Sequence, residues 1–372
     1  MAGIYIHIPF CKKACHYCNF HFSTSKKLLP QFINAITKEA EERTLFFNEP
    51  VETIYFGGGT PSLLEIIDLN KILLSIRKNY KVSSTAEITL EANPDDISKE
   101  KIINWKTLGI NRISLGIQSF VEEELVWMNR SHNAQQAIES VQLIQDHFEN
   151  YSLDLIFGSP LLTRALWVKN IHQALSFQAP HLSCYALTIE EKTVFGNWLA
   201  HKKIEPVNSD LQAEQFEILM EEMEANHYLQ YEISNFAKQG FESKHNSSYW
   251  QGKKYLGLGP SAHSYNGKSR FWNVANNALY ISGIESKTNI REEELLTTQQ
   301  QFNEYILISL RTSKGINENL VRNTWDEKTY QHFQYIFDKW HKIKHLDKKN
   351  EHVFLTKQGK LFADGIAADF FL

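Results

Sequence analysis

The chain has 372 residues, 42% of them hydrophobic, and 39 Lys and Arg against 43 Asp and Glu leave a formal net charge of -4. That length can bury a large core, as one big domain plus a smaller one or as two domains, and the near balance of charge argues against a global nucleic-acid footprint. With four cysteines, no basic segment ahead of the first apolar run and no unbroken stretch of about eighteen apolar residues, the expected location is the cytoplasm, with neither a disulfide framework nor a membrane span.

In chain order, β-rich runs at Ile4 to Ile8, Thr53 to Phe56, Glu87 to Glu91, Arg112 to Ile117, Leu153 to Phe157 and Leu182 to Leu187 alternate with helical periodicity. The clearest helical stretches are Leu29 to Phe47, Leu63 to Ile76 and Ala134 to Ile144. The β-rich runs are nearly all apolar, which predicts a sheet covered on both faces. Parallel βα repeats of this kind curl into a full barrel, a partial barrel or an open doubly wound sheet. In each of these, ligands gather at the C-terminal ends of the strands.

Those ends carry the unusual residues. After the first run comes Cys11-Lys12-Lys13-Ala14-Cys15-His16-Tyr17-Cys18, and after the second Gly57-Gly58-Gly59-Thr60-Pro61-Ser62. The third ends in Glu91-Ala92-Asn93-Pro94 and the fourth in Gly116-Ile117-Gln118-Ser119-Phe120; the fifth contains Asp154 and leads into Gly158-Ser159-Pro160. Taken singly, each polar strand end is equally well a helix cap, and the glycine run a tight βα connection. The run lacks the GxGxxG and GxxxxGK[ST] patterns, which weakens dinucleotide and P-loop readings. Together, Glu91, Gln118, Arg130 and Asp154 at one mouth offer carboxylates for an ammonium and ribose hydroxyls, and a cation for a carboxylate.

The C-x3-C-x2-C spacing places three thiolates on one short loop, and soft sulfur ligands suit iron–sulfur clusters, zinc and copper. Three thiolates on a four-iron cluster leave one iron open to a non-protein ligand. A Cys3His zinc site is the alternative, with His7, His16 or His21 as fourth ligand, although no second zinc hook follows. A disulfide fits poorly with so few cysteines and a reducing compartment. Cys184, inside the sixth apolar run, reads as a core residue.

From about Thr297 the character changes, with helical patterns at Gln299 to Leu310, Glu318 to Asn323 and Lys328 to Ile343, a short β run Val353 to Leu355, and a last helical stretch Thr356 to Phe371. The order suggests a small winged-helix-type module. Its basic run Lys339, Lys342, Lys344, Lys348 and Lys349 reads as a solvated face, or else as a contact for the carboxylates of a ligand, a membrane surface or a partner.

Cys11, Cys15, Tyr17 and Cys18 after the first strand resemble the C-x3-C-x-aromatic-C signature of the radical S-adenosylmethionine superfamily. Further stretches extend the resemblance over nearly the whole chain to its coproporphyrinogen III dehydrogenase-like branch: IYIHIPFC, YFGGGTPS, EANP, GIQSF, MNRSH, DLIFGSP, YEISNFA and YLGLGPSAHSY. The resemblance implies an α/β fold, a partial (β/α)6 TIM-like barrel over residues 1–285 that includes a bridging segment, and a mostly helical, winged-helix-like domain over 290–372. It implies a [4Fe-4S] cluster on Cys11, Cys15 and Cys18, and S-adenosylmethionine held by Tyr5, Tyr17, Gly58, Gly59, Thr60, Glu91, Gln118, Arg130, Asp154, Ala186 and His263.

The dehydrogenases of that branch carry another Cys where this chain has Phe20, and a longer segment before the first strand. Both departures point to the heme-chaperone type of the branch, as does His245-Asn246-Ser247-Ser248-Tyr249-Trp250, which is similar to its HNxxYW heme motif. The resemblance thus implies heme as cargo, with His245 as axial ligand and Tyr249 beside it, acceptor hemoproteins, membrane-associated ones among them, as partners, room for a homodimer, and no nucleic acid. On the residues alone, His245 can also be a turn cap, with Tyr249 and Trp250 in the core. The competing activity is the oxygen-independent oxidative decarboxylation of coproporphyrinogen III.

Overall fold

The structure, a computed structural model, describes residues 2–372. Six parallel strands, β1 (Ala2–Ile8), β2 (Val51–Gly58), β3 (Val82–Ala92), β4 (Arg112–Gln118), β5 (Tyr151–Phe157) and β6 (His181–Ala186), lie side by side in chain order. Helices α1 (Leu29–Glu42), α2 (Ile66–Asn79), α3 (Lys99–Thr107), α4 (Glu122–Trp127), α5 (Ala134–Gln145) and α6 (Arg164–Ser176) connect them. After α7 (Val194–Ala200) and α8 (Ser209–Ala225), β7 (Leu229–Glu232) and β8 (Asn235–Ala237) extend the sheet antiparallel beyond β6. The short helix α9 (Lys244–Trp250) follows. Next, β9 (Tyr255–Leu258) returns parallel beside β1, and β10 (His263–Tyr265), β11 (Ser269–Asn273) and β12 (Arg291–Leu295) complete a sheet of twelve strands, with α10 (Asn277–Ser286) between the last two. The sheet curls without closing, the partial barrel expected from the sequence.

The alternation of side chains along β1 to β6 sets the layers. Ile4, Ile6, Ile8, Ile54, Phe56, Leu90, Ile113, Leu115, Ile117, Leu153, Leu155 and Leu182 are buried in one core with residues of the covering helices, each such burial contributing about 1.5–3 kcal/mol. The intervening positions Tyr55, Glu91, Arg112, Ser114, Asp154, His181 and Ser183 line the lumen. This corrects the expectation of a sheet apolar on both faces. Only the helix-facing side is aliphatic, because the lumen is kept for polar groups that bond one another or a ligand.

Three expected helices differ in extent. The first stops at Glu42 and gives way to a 3-10 turn over Thr44–Phe46, ahead of Pro50 and the entry to β2. The second begins at Ile66, because Pro61–Leu63 is a 3-10 turn whose Ser62 hydroxyl donates to Asp96 Oδ2 at 2.7 Å. The last splits into a 3-10 turn over Gly359–Phe362 and α14 (Ala363–Asp369), preceded in the chain by α11 (Thr298–Leu310), α12 (Glu318–Thr324) and α13 (Glu327–Lys342). These C-terminal helices pack with a three-stranded sheet of β13 (Ile316–Asn317), β14 (Leu346–Lys349) and β15 (His352–Leu355) around a core of their own, including Phe302, Ile306, Val321, Phe333, Val353 and Ile366. In the basic run, Lys339 pairs with Asp369 at 2.5 Å and Lys348 with Glu318. No helix among the described residues is long and apolar enough to cross a membrane.

Candidate functional site

The cysteine loop leaves β1 and is tied at its base, where Cys11 N donates to Ser23 O at 3.1 Å and Ser23 N to Pro9 O at 2.9 Å. Its far side is clamped to the segment after α4: His16 N donates to Met128 O at 3.1 Å, Asn129 Nδ2 to Ala14 O at 2.8 Å, and Lys13 Nζ to Arg130 O at 3.3 Å. The glycine run closes in from β2. Gly58 has φ +104°, a left-handed conformation that favours glycine, and a Cβ on Gly59 would stand 2.7 Å from Phe10 O and 2.8 Å from Ile8 O. The cysteine loop and the glycine run are therefore backbone against backbone.

Cys11, Cys15 and Cys18 all face a cavity of about 400 Å³ at the C-terminal ends of the strands, together with Tyr17, Gly58, Gly59, Thr60, Glu91, Gln118, Arg130, Asp154 and Ala186. Burial pushes the Cys11 thiol up to about 12 and the Cys18 thiol up to about 11, so binding a metal there releases protons. Arg130 Nη1 reaches Cys15 Sγ at 3.4 Å and Tyr17 OH at 3.1 Å, and Nη2 donates to Asn93 Oδ1 and Gly116 O, both at 2.8 Å. Its Nε is buried without a partner. Glu91 accepts from Tyr55 OH at 2.8 Å and from Gly58 N at 3.1 Å, and burial pushes its carboxyl up to about 7. Burial also raises Asp154, which accepts from Ser114 Oγ at 2.8 Å. Gln118, at φ 68°, holds a left-handed conformation uncommon outside glycine.

Two expected cofactor residues lie off this wall. Tyr5 shares a 3.1 Å hydrogen bond with His7 Nδ1 and lies beside Glu91. His263 stacks on Trp272 of β11, with ring centroids 6.1 Å apart. The histidines considered for zinc are engaged elsewhere: His7 through Tyr5 OH and His21 O, His16 through Trp127 O, and His21 through Asn277 Oδ1. None of the three lines the cavity with the sulfurs. Among the described residues, no group of three or more His, Cys, Asp and Glu stands placed to hold a single metal ion. Cys184 is buried in the helix-facing core.

Helix α9 plugs the opposite end of the barrel. Ser243 caps it by accepting from Asn246 N at 3.2 Å, and the Glu87 carboxylate takes Lys244 N at 3.2 Å and His245 N at 3.0 Å, an acid at a helix N-terminus. His245 is 1% exposed. Its Nδ1 meets Thr53 Oγ1 at 2.8 Å, its Nε2 meets Tyr249 OH at 2.8 Å, and its ring stacks on Tyr55 with centroids 4.9 Å apart. Burial holds it neutral by pulling its pKa down to about 3. Both ring nitrogens are engaged in this closed arrangement, so neither is free for an iron. Ser243 and Asn246 form the floor of the cavity whose mouth carries the cysteines.

The sequence reading missed Tyr55, Asn93, Arg112, Ser114, Ser152, His181, Ser183 and Tyr185, all on the cavity wall. Their signal was period-two alternation, as in Arg112-Ile113-Ser114-Leu115 and His181-Leu182-Ser183-Cys184.

Residues 5–170 match the model of the Radical SAM superfamily. Among curated relatives, the heme chaperone HemW of Bacillus subtilis is 36% identical, covering 100% of this chain and 99% of that protein. Those of Lactococcus lactis and Escherichia coli are 36% and 34% identical, the first over 84% of this chain and 82% of the relative, the second over 70% and 69%. Among solved structures, the coproporphyrinogen III oxidase HemN of Escherichia coli, described as a radical SAM enzyme, superposes with a TM-score of 0.85 at 20% identity over 99% of this chain and 89% of that one.

Proposed function

The chain belongs to the radical SAM superfamily and, within it, to the family of the HemW heme chaperones, and on that premise we propose that it binds heme, carries a [4Fe-4S] cluster and S-adenosylmethionine, and delivers heme to acceptor proteins. The observation that carries the reading is one lumen with three cysteines at its mouth and, at its floor, Asn246 of the His245-to-Trp250 motif. The donor set fits both groups. Cys11, Cys15 and Cys18 would hold three irons, and no other cysteine stands on the wall. Arg130, with an unpartnered Nε beside Cys15, offers a donor to a carboxylate; Glu91 and Asp154 offer acceptors to an ammonium and to hydroxyls. When bound, the cluster and cofactor supply one-electron chemistry at a sulfonium.

The protein's own part is to bind and to exclude water. Arg130 orients Tyr17 and Cys15 together, the Gly58–Gly59 backbone closes against the cysteine loop, and Glu91 holds a proton until a cation arrives. Heme ligation by His245 requires α9 to withdraw from Thr53 and expose an imidazole that burial keeps neutral, the form that ligates iron. Phe20, 63% exposed on the cavity wall, puts a flat apolar ring where the dehydrogenases of the branch are expected to carry a cysteine. We place the protein in the cytoplasm, with heme as cargo, hemoproteins as acceptors and a homodimer as one assembly to be tested.

The test pairs two assays on anaerobically reconstituted protein. Heme titration should show stoichiometric binding at micromolar or better affinity, weakened at least tenfold by His245→Ala. Coproporphyrinogen III should remain unconverted. Porphyrinogen turnover, or no heme binding at all, overturns the chaperone reading; unchanged binding by His245→Ala removes that residue from the heme site.

A further inference from the structure

The deep end of the lumen, at the N-terminal ends of β4 and β6, holds donors that the cluster and heme do not use. His181 is 1% exposed and lines the cavity. Its Nε2 lies 2.7 Å from Tyr231 OH, and Ser243 N donates to the same hydroxyl at 3.3 Å. With the Tyr231 proton donated to His181 Nε2, the hydroxyl oxygen still accepts from Ser243. The imidazole proton of neutral His181 then sits on Nδ1. That Nδ1 is buried and has no hydrogen-bond partner, and a buried donor left unmet is costly unless something receives it.

Arg112 stands beside it. Its Nη1 donates to Asn150 Oδ1 and, at 3.3 Å, to Phe241 O, while among the described residues no hydrogen bond engages its Nη2 or Nε. Asp154, the nearby acid that Arg112 feels, is hydrogen-bonded by Ser114, Ser183 and Ser152, and burial raises its pKa. The guanidinium thus keeps two nitrogens without a hydrogen bond. Asn246, on the first turn of α9, and Ser183 complete the floor.

We propose that this floor is a binding subsite for the carboxylate of a small elongated acid, received by Arg112 and His181 Nδ1 with Asn246 and Ser183 beside them. His181 and Ala186, the two ends of β6, both line the cavity. At about 3.3 Å per residue they lie about 16 Å apart. Both ring nitrogens of His245 are engaged while α9 stays in place, so the floor as built is not filled by a heme ligated through His245. A cofactor whose amino-acid end is at the cysteines has its carboxylate at the wrong end of the lumen, so the acid is a separate ligand. Only this last step rests on the proposed cofactor; the floor stands without the heme reading.

The probe is 13C-acetate, titrated by NMR into the full chain without cofactor. Saturable millimolar binding is expected, weakened at least fivefold by His181→Leu and by Asn246→Leu. His181→Asn, which restores a donor near the Nδ1 position, should stay within about twofold of the parent. Asn246→Leu approaches the floor from α9, so a fold lost on changing β6 does not end the test, and thermal midpoints of all variants control for folding. Saturating S-adenosylmethionine should leave acetate affinity unchanged. Unsaturable binding, equal binding by folded variants, or displacement by S-adenosylmethionine overturns the proposal. Heme titration of the same parent sample separately tests the chaperone reading.

Discussion

Glu91 lies inside the barrel wall with Tyr55 OH and Gly58 N donating to it, yet desolvation outweighs both and pushes its carboxyl up to about 7 from an ordinary value of 4.5. A raised folded-state pKa means that the folded protein binds the proton more tightly than the unfolded chain. The contribution is fully present below about 4.5 and is lost as pH rises through about 7. We expect the metal-free parent to lose stability over that window relative to Glu91→Gln, by roughly 3 kcal/mol at most, read as diverging urea midpoints between pH 5 and 8. Cofactor binding should strengthen over the same rise, since the charged carboxylate is the form that holds an ammonium. Gly59 makes a second residue-scale case. A Cβ there meets three backbone atoms, Phe10 O, Ile8 O and Phe10 N, at 2.7–2.9 Å. Gly59→Ala should lower stability by about 1–3 kcal/mol with an unchanged urea m value, and lower the iron retained after reconstitution. The cysteines and Glu91 were legible in the sequence because each sits in a conspicuous strand-end motif, and Arg130 because it falls in the MNRSH stretch between two helices. Arg112 and His181 were not, since they lie at strand starts and read as ordinary polar residues until the sheet curls and turns them inward.

At the scale of elements, α9 is the part whose position matters most. It is short, seven residues, and its N-terminus is held by Glu87, while its C-terminal Trp250 lies under Arg311, whose guanidinium carbon is 5.2 Å from the ring centroid. Arg311 also pairs with buried Glu232 at 3.6 Å. Four buried polar atoms without a hydrogen bond cluster in this neighbourhood: Trp250 Nε1, Arg311 Nε, Glu232 Oε2 and Asn235 Oδ1. Unmet donors and acceptors lower the local cost of opening. Removing the guanidinium should lower it further. In Arg311→Met we expect the amides of Asn246 to Trp250 to exchange about tenfold faster, about 1.4 kcal/mol of local stability, while those of β1 to β6 stay protected. Hydrogen exchange by mass spectrometry resolves the two segments. If heme enters through this opening, association should quicken in the same variant with little change in the final complex. The motif itself could be found in the sequence, but its burial could not, because Thr53 and Glu87, which hold it, are 192 and 158 residues away from His245.

Across the whole molecule, the six βα units were legible because each strand carries its aliphatic face as an unbroken alternation, and the partners of a parallel sheet follow chain order. The returning strands β9 to β12 were not, being short and set by pairing rather than by pattern, β9 on β1 and each later strand on the one before it. The C-terminal unit keeps a separate core, and Ile233 packs against both cores. It also covers the exposed sheet edge at β7: Ile233 N donates to Arg311 O at 2.9 Å, Ser313 N to Tyr231 O at 3.0 Å, and Lys360 Nζ to Gln230 Oε1 at 2.7 Å. Two separate cores that meet at this seam should melt as two cooperative units. Calorimetry of the metal-free chain is expected to resolve two transitions, and cofactor or cluster binding should raise the midpoint of the barrel alone, because every proposed ligand lies on that side of the seam. A single transition that rises as one on loading would mean that the edge contacts couple the two cores, and that the C-terminal unit contributes to the barrel's stability rather than merely shielding its edge.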